Sequence, residues 1–171
     1  DVMYDNIMTK FKWGGMDKPG IFLDNVFVST CALNLRQRVS ALANALISEG
    51  KKDKAIKVLD KCLEVTPRQN VPYDVTMYGI DMAYYQAGAT EKANKLALDL
   101  FDNFETNLNY YYSLDRHDIV SFGNDAEQAQ DIMERLIYFT KNFKQDKMSE
   151  EFEGRYTRLL QKYNIGWLKQ R

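Results

Sequence analysis

Few side chains in this chain could do acid–base or metal chemistry. The single histidine, His117, lies in the polar segment 114–118, where neighbouring carboxylates could hydrogen-bond to its ring. A histidine-dependent hydrolase needs a nucleophile held against that ring. The sequence has no nucleophile elbow, glycine-rich phosphate loop or HExxH motif. We therefore predict no catalytic residue, no metal and no cofactor, and a hydrolase that uses His117 is the least favoured alternative.

The cysteines and the charged residues indicate structure rather than chemistry. If a helical hairpin turns near Gly50, Cys31 and the residue opposite Cys62 are separated by roughly 13 Å along the helix. A disulfide tolerates a Cα separation of roughly 7 Å, so we predict two free cysteines. The lysines of residues 51–61 alternate with acidic residues at helical spacing, which is typical of a salt-bridged outer face rather than a nucleic-acid patch.

Aromatic side chains offer a second kind of chemistry, which is ligand binding by stacking. Trp13 lies in the glycine-rich segment 12–20, and its first interpretation is an anchor that packs this loop onto the body. Its second interpretation is a ligand-facing ring. Three consecutive tyrosines cannot all face one core, so at least one of them must be exposed. The candidate stacking residues are Trp13, Tyr85, Tyr110, Tyr111 and Tyr112.

The elements that must position these side chains are helices. Residues 35–67 carry apolar side chains at intervals of three and four, which predicts two antiparallel helices. Gly50 is placed to end the first helix and Pro67 to end the second. A second hairpin follows at an interval of 38 residues (50 to 88, 55 to 93), because Gly88 and Ala93 correspond to Gly50 and Ala55.

The first hairpin resembles a tetratricopeptide repeat. The matching positions are Ala43, Leu46, Gly50, Ala55, Leu59, Cys62 and Pro67. The second hairpin is a degenerate copy, because Asp81 stands at the small position of its first helix and Glu105 where the proline belongs. The resemblance implies an all-α fold with one good and one degenerate repeat.

The remaining segments complete a prediction of one helical-repeat domain over residues 1–171. It comprises an N-terminal helix and loop (1–30), repeat one (31–67), repeat two (74–105) and a C-terminal helical hairpin cap (124–171). We expect an extended entry to Leu23, then a helix capped by Asp24. Residues 108–124 are predicted to be an aromatic connection. The cap has Phe152 where a repeat would have its close-approach alanine.

The first helices of such repeats present an inner face to ligands. By repeat position this face comprises Gln37, Ser40, Asn44 and Ile47 in repeat one and Val75, Tyr78, Met82 and Tyr85 in repeat two. It lacks the lysine and arginine that would bind a terminal carboxylate. An extended peptide, an apolar helix or a sugar would suit it. The competing interpretation is that the terminal segments of the chain fill this face.

Residues 3–24 carry a more specific resemblance. MYDNIMTKFKWGGMDKPGIFLD (residues 3–24), together with residues 42–67, resembles the C-terminal tail of a family of large Bacteroidetes inner-membrane proteins. Their polytopic N-terminal region is similar to protein O-mannosyltransferases. The resemblance implies that this chain is the extracytoplasmic, periplasmic and non-catalytic end of a lipid-sugar-dependent glycosyltransferase. The catalytic residues would lie upstream, and none can be carried over onto this sequence.

Composition narrows the choice of partner. With a net charge of −1 and 27% charged residues, the chain as a whole has no general electrostatic attraction to nucleic acid or to an anionic membrane surface. No apolar run approaches the roughly 20 residues that cross a membrane, and from the start at Asp1 we expect a fragment or a processed product. We therefore predict an interaction or scaffold domain that positions a protein acceptor, a peptide or its own membrane region. The alternatives are a carbohydrate-binding module for a glycan and a free-standing peptide adaptor.

Overall fold

Helices make up the regular structure, as the residue spacing predicts. The computed structural model describes residues 1–115 and 120–164, and within these ranges it contains helices and no strand. The all-α prediction is confirmed. The chain divides into two compact units, Asp1–Ala93 and Asn94–Arg171. The single repeat domain with its internal boundaries stays a prediction.

The predicted N-terminal helix forms. Helix α1 spans Val2–Asp5 and continues as a π-helical turn over Asn6–Lys10. Its buried side chain is Ile7, whereas Met3 and Phe11 are 41% and 50% exposed.

The predicted helix start at Asp24 is confirmed. Helix α2 spans Asn25–Phe27, and the Asp24 carboxylate accepts a hydrogen bond of 2.8 Å from the backbone N–H of Phe27. The chain then passes through a π-helical turn, Val28–Ala32, into helix α3, Leu33–Ser48. An N-cap aspartate therefore outweighs the β-branched residues around it.

Three helices form the body of the first unit. Helix α4 spans Lys52–Val65 and forms a hairpin with α3, and helix α5 spans Met77–Ala87 and packs against both. Their shared core consists of buried side chains at helical spacing: Val39, Ala43, Leu46, Ala55, Val58, Leu59, Cys62, Ile80, Ala83 and Tyr84.

Helix α6, Thr90–Ser113, is longer than the sequence indicated. The predicted aromatic connection over residues 108–124 is wrong in its first part, because Tyr110, Tyr111 and Tyr112 lie on this helix. Glu105 stands where a repeat would have proline. Glutamate neither removes the N–H donor nor clashes with the preceding turn, so the helix continues.

The second unit contains the predicted C-terminal helical hairpin. A 3₁₀ turn, Val120–Phe122, leads into helix α7, Gly123–Asn142, and helix α8 spans Asp146–Lys162. Phe152 of α8 stacks on Phe101 of α6 with ring centroids 4.1 Å apart. The capping role of this hairpin stays a prediction. His117 and residues 165–171 lie outside the described residues.

Three turns that end helices share one backbone geometry. Gly50, Gly88 and Lys144 all have positive φ, at +75°, +86° and +61°. In each turn the next amide donates to the carbonyl five residues before it: Lys51 to Leu46, Ala89 to Tyr84, and Gln145 to Thr140, at 2.8–2.9 Å. This pattern of bonds closes a helix with a left-handed residue.

The shared turns correct one assignment in the C-terminal hairpin. The next helix begins two residues after each turn residue, and a small buried residue follows five positions after it: Ala55, Ala93 and Ser149. The counterpart of the close-approach alanine is therefore Ser149, not Phe152. The sequence did not indicate this correspondence because the third turn has Lys144 where the other two have glycine.

Among the described residues, no helix is long and apolar enough to cross a membrane.

Candidate interaction surface

Helices α3 and α5 are in close contact at Ser40 and Gly79. A Cβ atom on Gly79 would lie 2.7 Å from the Ser40 hydroxyl oxygen, which is closer than two such atoms can pack. Glycine at this position therefore allows the two helices to pack side by side. Their neighbouring outward-facing residues border one shared surface.

Four of the predicted inner-face residues border this contact and retain exposed surface. Gln37 and Asn44 on α3 are exposed, and Tyr78 and Met82 on α5 are half-buried. Gln37 and Asn44 lie about one helical turn to either side of Ser40, whereas Tyr78 and Met82 flank Gly79. We call these four residues the α3–α5 surface.

The other predicted inner-face residues have different environments. Ser40 and Tyr85 are 9% and 4% exposed, so both belong to the helix packing. Ile47 is half-buried on α3. Val75 is 38% exposed and precedes α5, which begins at Met77 rather than at Val75.

A carboxylic acid is buried directly beside this surface. Asp81 on α5 is 1% exposed, and neither of its carboxylate oxygens has a hydrogen-bond partner among the described residues. Burial raises the pKa of Asp81 well above its usual value, because the charged form cannot be solvated. Burial and then the Asp81 charge also raise the pKa of Tyr85, one turn further on. The sequence contains one indication of this buried acid. Asp81 stands at a position where tetratricopeptide repeats have a small residue.

A buried arginine that was not predicted from the sequence fixes the end of the α3–α4 hairpin. Arg36 on α3 is fully buried, and its guanidinium contacts the loop that joins α4 to α5. The five acceptors are the carbonyls of Thr66, Val71 and Pro72, the Thr66 hydroxyl and the Asp74 carboxylate, at 2.7–3.3 Å. Arg36 lies at the same three- and four-residue spacing as the buried apolar residues of α3. This spacing was the one feature of the sequence that could have indicated its burial.

Hydrogen bonds from Asn70 hold the N-terminal loop, residues 12–20, against the loop between α4 and α5. The Asn70 side-chain amide donates to the carbonyls of Met16 and Lys18 at 2.7 and 2.8 Å. Met16 is 7% exposed and anchors the loop. Trp13 is only half-buried, with its ring edge against Phe11 at a centroid distance of 5.7 Å.

The lysine-rich start of α4 forms ion pairs at the protein surface. Lys51 and Lys54 both bind the Asp1 carboxylate, at 3.0 and 2.9 Å. A shallow open depression lined by residues 50–54 lies here. Further along α4, Lys61 binds Glu64 at 2.8 Å, as the alternating charges predicted. Solvent screens exposed pairs of this kind, so their stabilising effect is small.

The tyrosines of α6 differ in how much ring surface they offer. Tyr110 is 55% exposed, whereas Tyr111 stacks on Phe122 with ring centroids 5.3 Å apart. Tyr112 lies against Tyr163 and accepts a hydrogen bond from Gln130. The prediction that at least one of the three is exposed is confirmed by Tyr110.

The prediction of two free cysteines is confirmed. Cys31 is exposed and Cys62 is buried. Burial raises the pKa of the Cys62 thiol to about 11, which keeps it in the protonated, unreactive form. Within residues 1–115 and 120–164, no three His, Cys, Asp or Glu side chains form a group that could hold a metal ion.

Comparison with known proteins gives no relative: no protein-family model matches the chain, and no curated protein or solved structure is significantly similar to it.

Proposed function

We propose that this chain is a non-catalytic interaction domain that binds an extended segment of a protein partner on the α3–α5 surface. The observation that carries the proposal is the Ser40–Gly79 contact, with exposed amides on one side and half-exposed Tyr78 and Met82 on the other. A tetratricopeptide-like arrangement of α3, α4 and α5 is part of this proposal.

The chemistry of the surface favours an uncharged stretch of polypeptide. Gln37 and Asn44 each carry two N–H donors and a carbonyl acceptor, which match the alternating groups of an extended backbone. Tyr78 offers an apolar ring with a polar tip, and Met82 adapts its shape to neighbouring side chains. None of the four residues is charged, so a terminal carboxylate has no cation to bind here.

The hydrogen bonds of Arg36 and Asn70 support the proposal because they hold the loops of the first unit in one conformation. Arg36 fixes the loop that precedes α5, and Asn70 fixes the N-terminal loop to that same loop. A preorganised surface loses less conformational entropy on binding than a flexible one.

The resemblance of residues 3–24 supports a setting for this activity. We propose that the domain is appended to a membrane protein resembling a glycosyltransferase, on the extracytoplasmic side of the inner membrane. There it would position a protein acceptor or partner, while the transferase activity resides upstream.

Site-specific photo-crosslinking tests the binding surface. A photo-reactive residue at Asn44 or Met82 of the full-length protein is expected to capture one partner segment, and the same residue at Lys57 on α4 is the matched exposed control. A synthetic peptide of the captured segment is then titrated by fluorescence anisotropy. Tyr78→Ala is expected to weaken its binding by roughly tenfold, the effect of losing one well-packed anchor. Equal crosslinking at Lys57, or unchanged affinity in Tyr78→Ala, would contradict the proposal.

A carbohydrate-binding module is the second candidate, and the exposed ring of Tyr110 favours it. Tyr85 is excluded as a stacking platform because its ring is buried. Titration of oligosaccharides followed by tyrosine and tryptophan fluorescence tests this candidate. Binding that is lost in Tyr110→Ala and kept in Tyr138→Ala, another exposed tyrosine, would support it. Absence of binding at millimolar sugar would end it.

A further inference from the structure

A short segment of the first unit exposes several bulky apolar side chains. We call residues 10–27 the N-terminal segment. Phe22 is 89% exposed, Val26 70%, Phe11 50% and Phe27 36%. Single exposed apolar residues are common on protein surfaces, but a concentration of this kind in one segment indicates an interaction site.

The lysines of the N-terminal segment are free of ion pairs. Lys10, Lys12 and Lys18 are all exposed, and none pairs with a carboxylate in the part of the chain that the structure describes. By contrast, Lys51, Lys54 and Lys61 on the same unit do form ion pairs. The segment also contains Asp17 and Asp24, so its net charge is +1. The Asp24 carboxylate caps α2, and the three exposed lysines remain available to an anionic partner.

The segment is held in place on the body of the unit. Asn70 binds the carbonyls of Met16 and Lys18, and Met16 is buried. A Cβ atom on Gly15 would lie 3.4 Å from the Lys18 side chain and 3.7 Å from Ile21. The Lys18 stem and Ile21 thus lie together, directly before the exposed ring of Phe22.

We propose that the N-terminal segment docks on the surface of a phospholipid bilayer that contains anionic lipids. The phenylalanines and Val26 would enter the boundary between head groups and acyl chains. The lysines would contact the lipid phosphates, and half-buried Trp13 would sit at head-group depth. Charge complementarity favours this partner, because one segment carries both exposed apolar side chains and three unpaired lysines, which match the apolar and the anionic layers of a bilayer.

Vesicle co-sedimentation of the 171-residue chain tests this proposal. The probes are vesicles of phosphatidylcholine mixed with phosphatidylglycerol, and vesicles of phosphatidylcholine alone. We expect binding to the mixed vesicles that weakens as salt is added, because salt screens the lysines. Replacing both Phe22 and Val26 by serine should reduce binding by at least roughly tenfold, since two apolar contacts are lost. Replacing Lys10, Lys12 and Lys18 by glutamine should remove the preference for anionic vesicles.

Three further measurements test whether a loss of binding comes from misfolding or from an indirect effect. Tyr138→Ser removes an exposed ring from the second unit and should leave vesicle binding unchanged. In the Trp167→Phe background Trp13 is the only tryptophan, and its emission should shift to shorter wavelength with mixed vesicles. Thermal melting of each variant in the absence of vesicles should match the parent chain, because Phe22 and Val26 are exposed. Failure of the parent chain to bind mixed vesicles would overturn the proposal. So would a parent chain that self-associates through Phe22 and Val26 without binding vesicles.

Discussion

The guanidinium of Arg36, which solvent does not reach, donates a hydrogen bond of 2.7 Å to the carbonyl oxygen of Val71. Val71 is itself fully buried, in the loop between α4 and α5. A buried loop must satisfy its backbone carbonyls without water, and Arg36 provides the donors. One long side chain therefore sets the path by which the chain enters α5 and the α3–α5 surface.

Arg36→Ala is expected to destabilise the first unit by about 3–5 kcal/mol, because it leaves several buried acceptors without donors. Arg36→Lys keeps the positive charge but loses the planar fork, so most of the loss should remain. Asp74→Asn removes the one carboxylate charge that faces the buried guanidinium but keeps an amide oxygen as acceptor, so it should cost less than Arg36→Ala, about 1–3 kcal/mol. Urea unfolding followed by circular dichroism measures all three. Equal stability of Arg36→Lys and the parent chain would show that charge alone matters.

Lys144→Gly is expected to stabilise the second unit by about 1 kcal/mol, because lysine carries the strain of a left-handed backbone that glycine does not. Gly88→Ala is the inverse experiment in the first unit. A Cβ atom on Gly88 would meet no atom within 4 Å, so the expected loss of about 1 kcal/mol reflects backbone strain alone. Thermal unfolding of both variants tests the pair. If Lys144→Gly lowers the melting temperature, the side chain of Lys144 has a role that outweighs the strain.

Asp81→Asn is expected to stabilise the chain at neutral pH by about 1–3 kcal/mol, because the buried carboxyl has no partner for its charge. The folded-state pKa of Asp81 lies above its unfolded value near 3.8. Its contribution to stability is therefore fully present below about pH 4 and is lost as the pH rises through the folded pKa.

The matched measurement is the free energy of unfolding of both proteins across the acid and neutral range. The advantage of Asp81→Asn should be smallest at low pH and should grow as the pH rises. Asp17→Asn, at an exposed position, is the control and should show no such growth. A difference between the parent chain and Asp81→Asn that does not depend on pH would contradict a raised pKa of the buried Asp81 carboxyl.

Gly79→Ala is expected to destabilise the packing of α3 on α5 by about 1–3 kcal/mol, through overpacking against Ser40. Removing the Ser40 hydroxyl should relieve this clash, because the Ser40 Cβ would lie 3.5 Å from the new methyl group. The double variant Ser40→Ala/Gly79→Ala should then exceed Ser40→Ala in stability by up to about 1 kcal/mol, from the helix propensity of alanine. Additive effects in this double-mutant cycle would mean that the two residues do not touch.

The elements of the fold that rest on local rules could be predicted from the sequence. Asp24 caps a helix and Gly50 and Gly88 end helices because these effects act within one turn of chain. The third turn could not be predicted because lysine rarely adopts a left-handed backbone conformation. The surrounding hairpin holds Lys144 in that conformation. The end of α6 escaped because no proline or glycine marks it before Ser113.

The candidate surface could be predicted only in part, for a physical reason. Helical spacing places Gln37, Asn44, Tyr78 and Met82 on the expected faces. Whether a side chain at such a position is exposed depends on how closely the neighbouring helix approaches. Gly79 brings α3 and α5 together, and Ser40 and Tyr85 are buried in the first unit. Spacing along one helix carries no information about that distance.

The two hydrogen bonds of Asn70 also limit where residues can be inserted or deleted in the loops that they join. Surface loops are ordinarily the places where insertions and deletions are tolerated. Here the loop at residues 68–74 and the loop at residues 12–20 are joined through one side chain to two carbonyls. An added residue in either loop would move the amide away from both acceptors. The two loops must therefore keep their lengths in register with each other, as paired strands do.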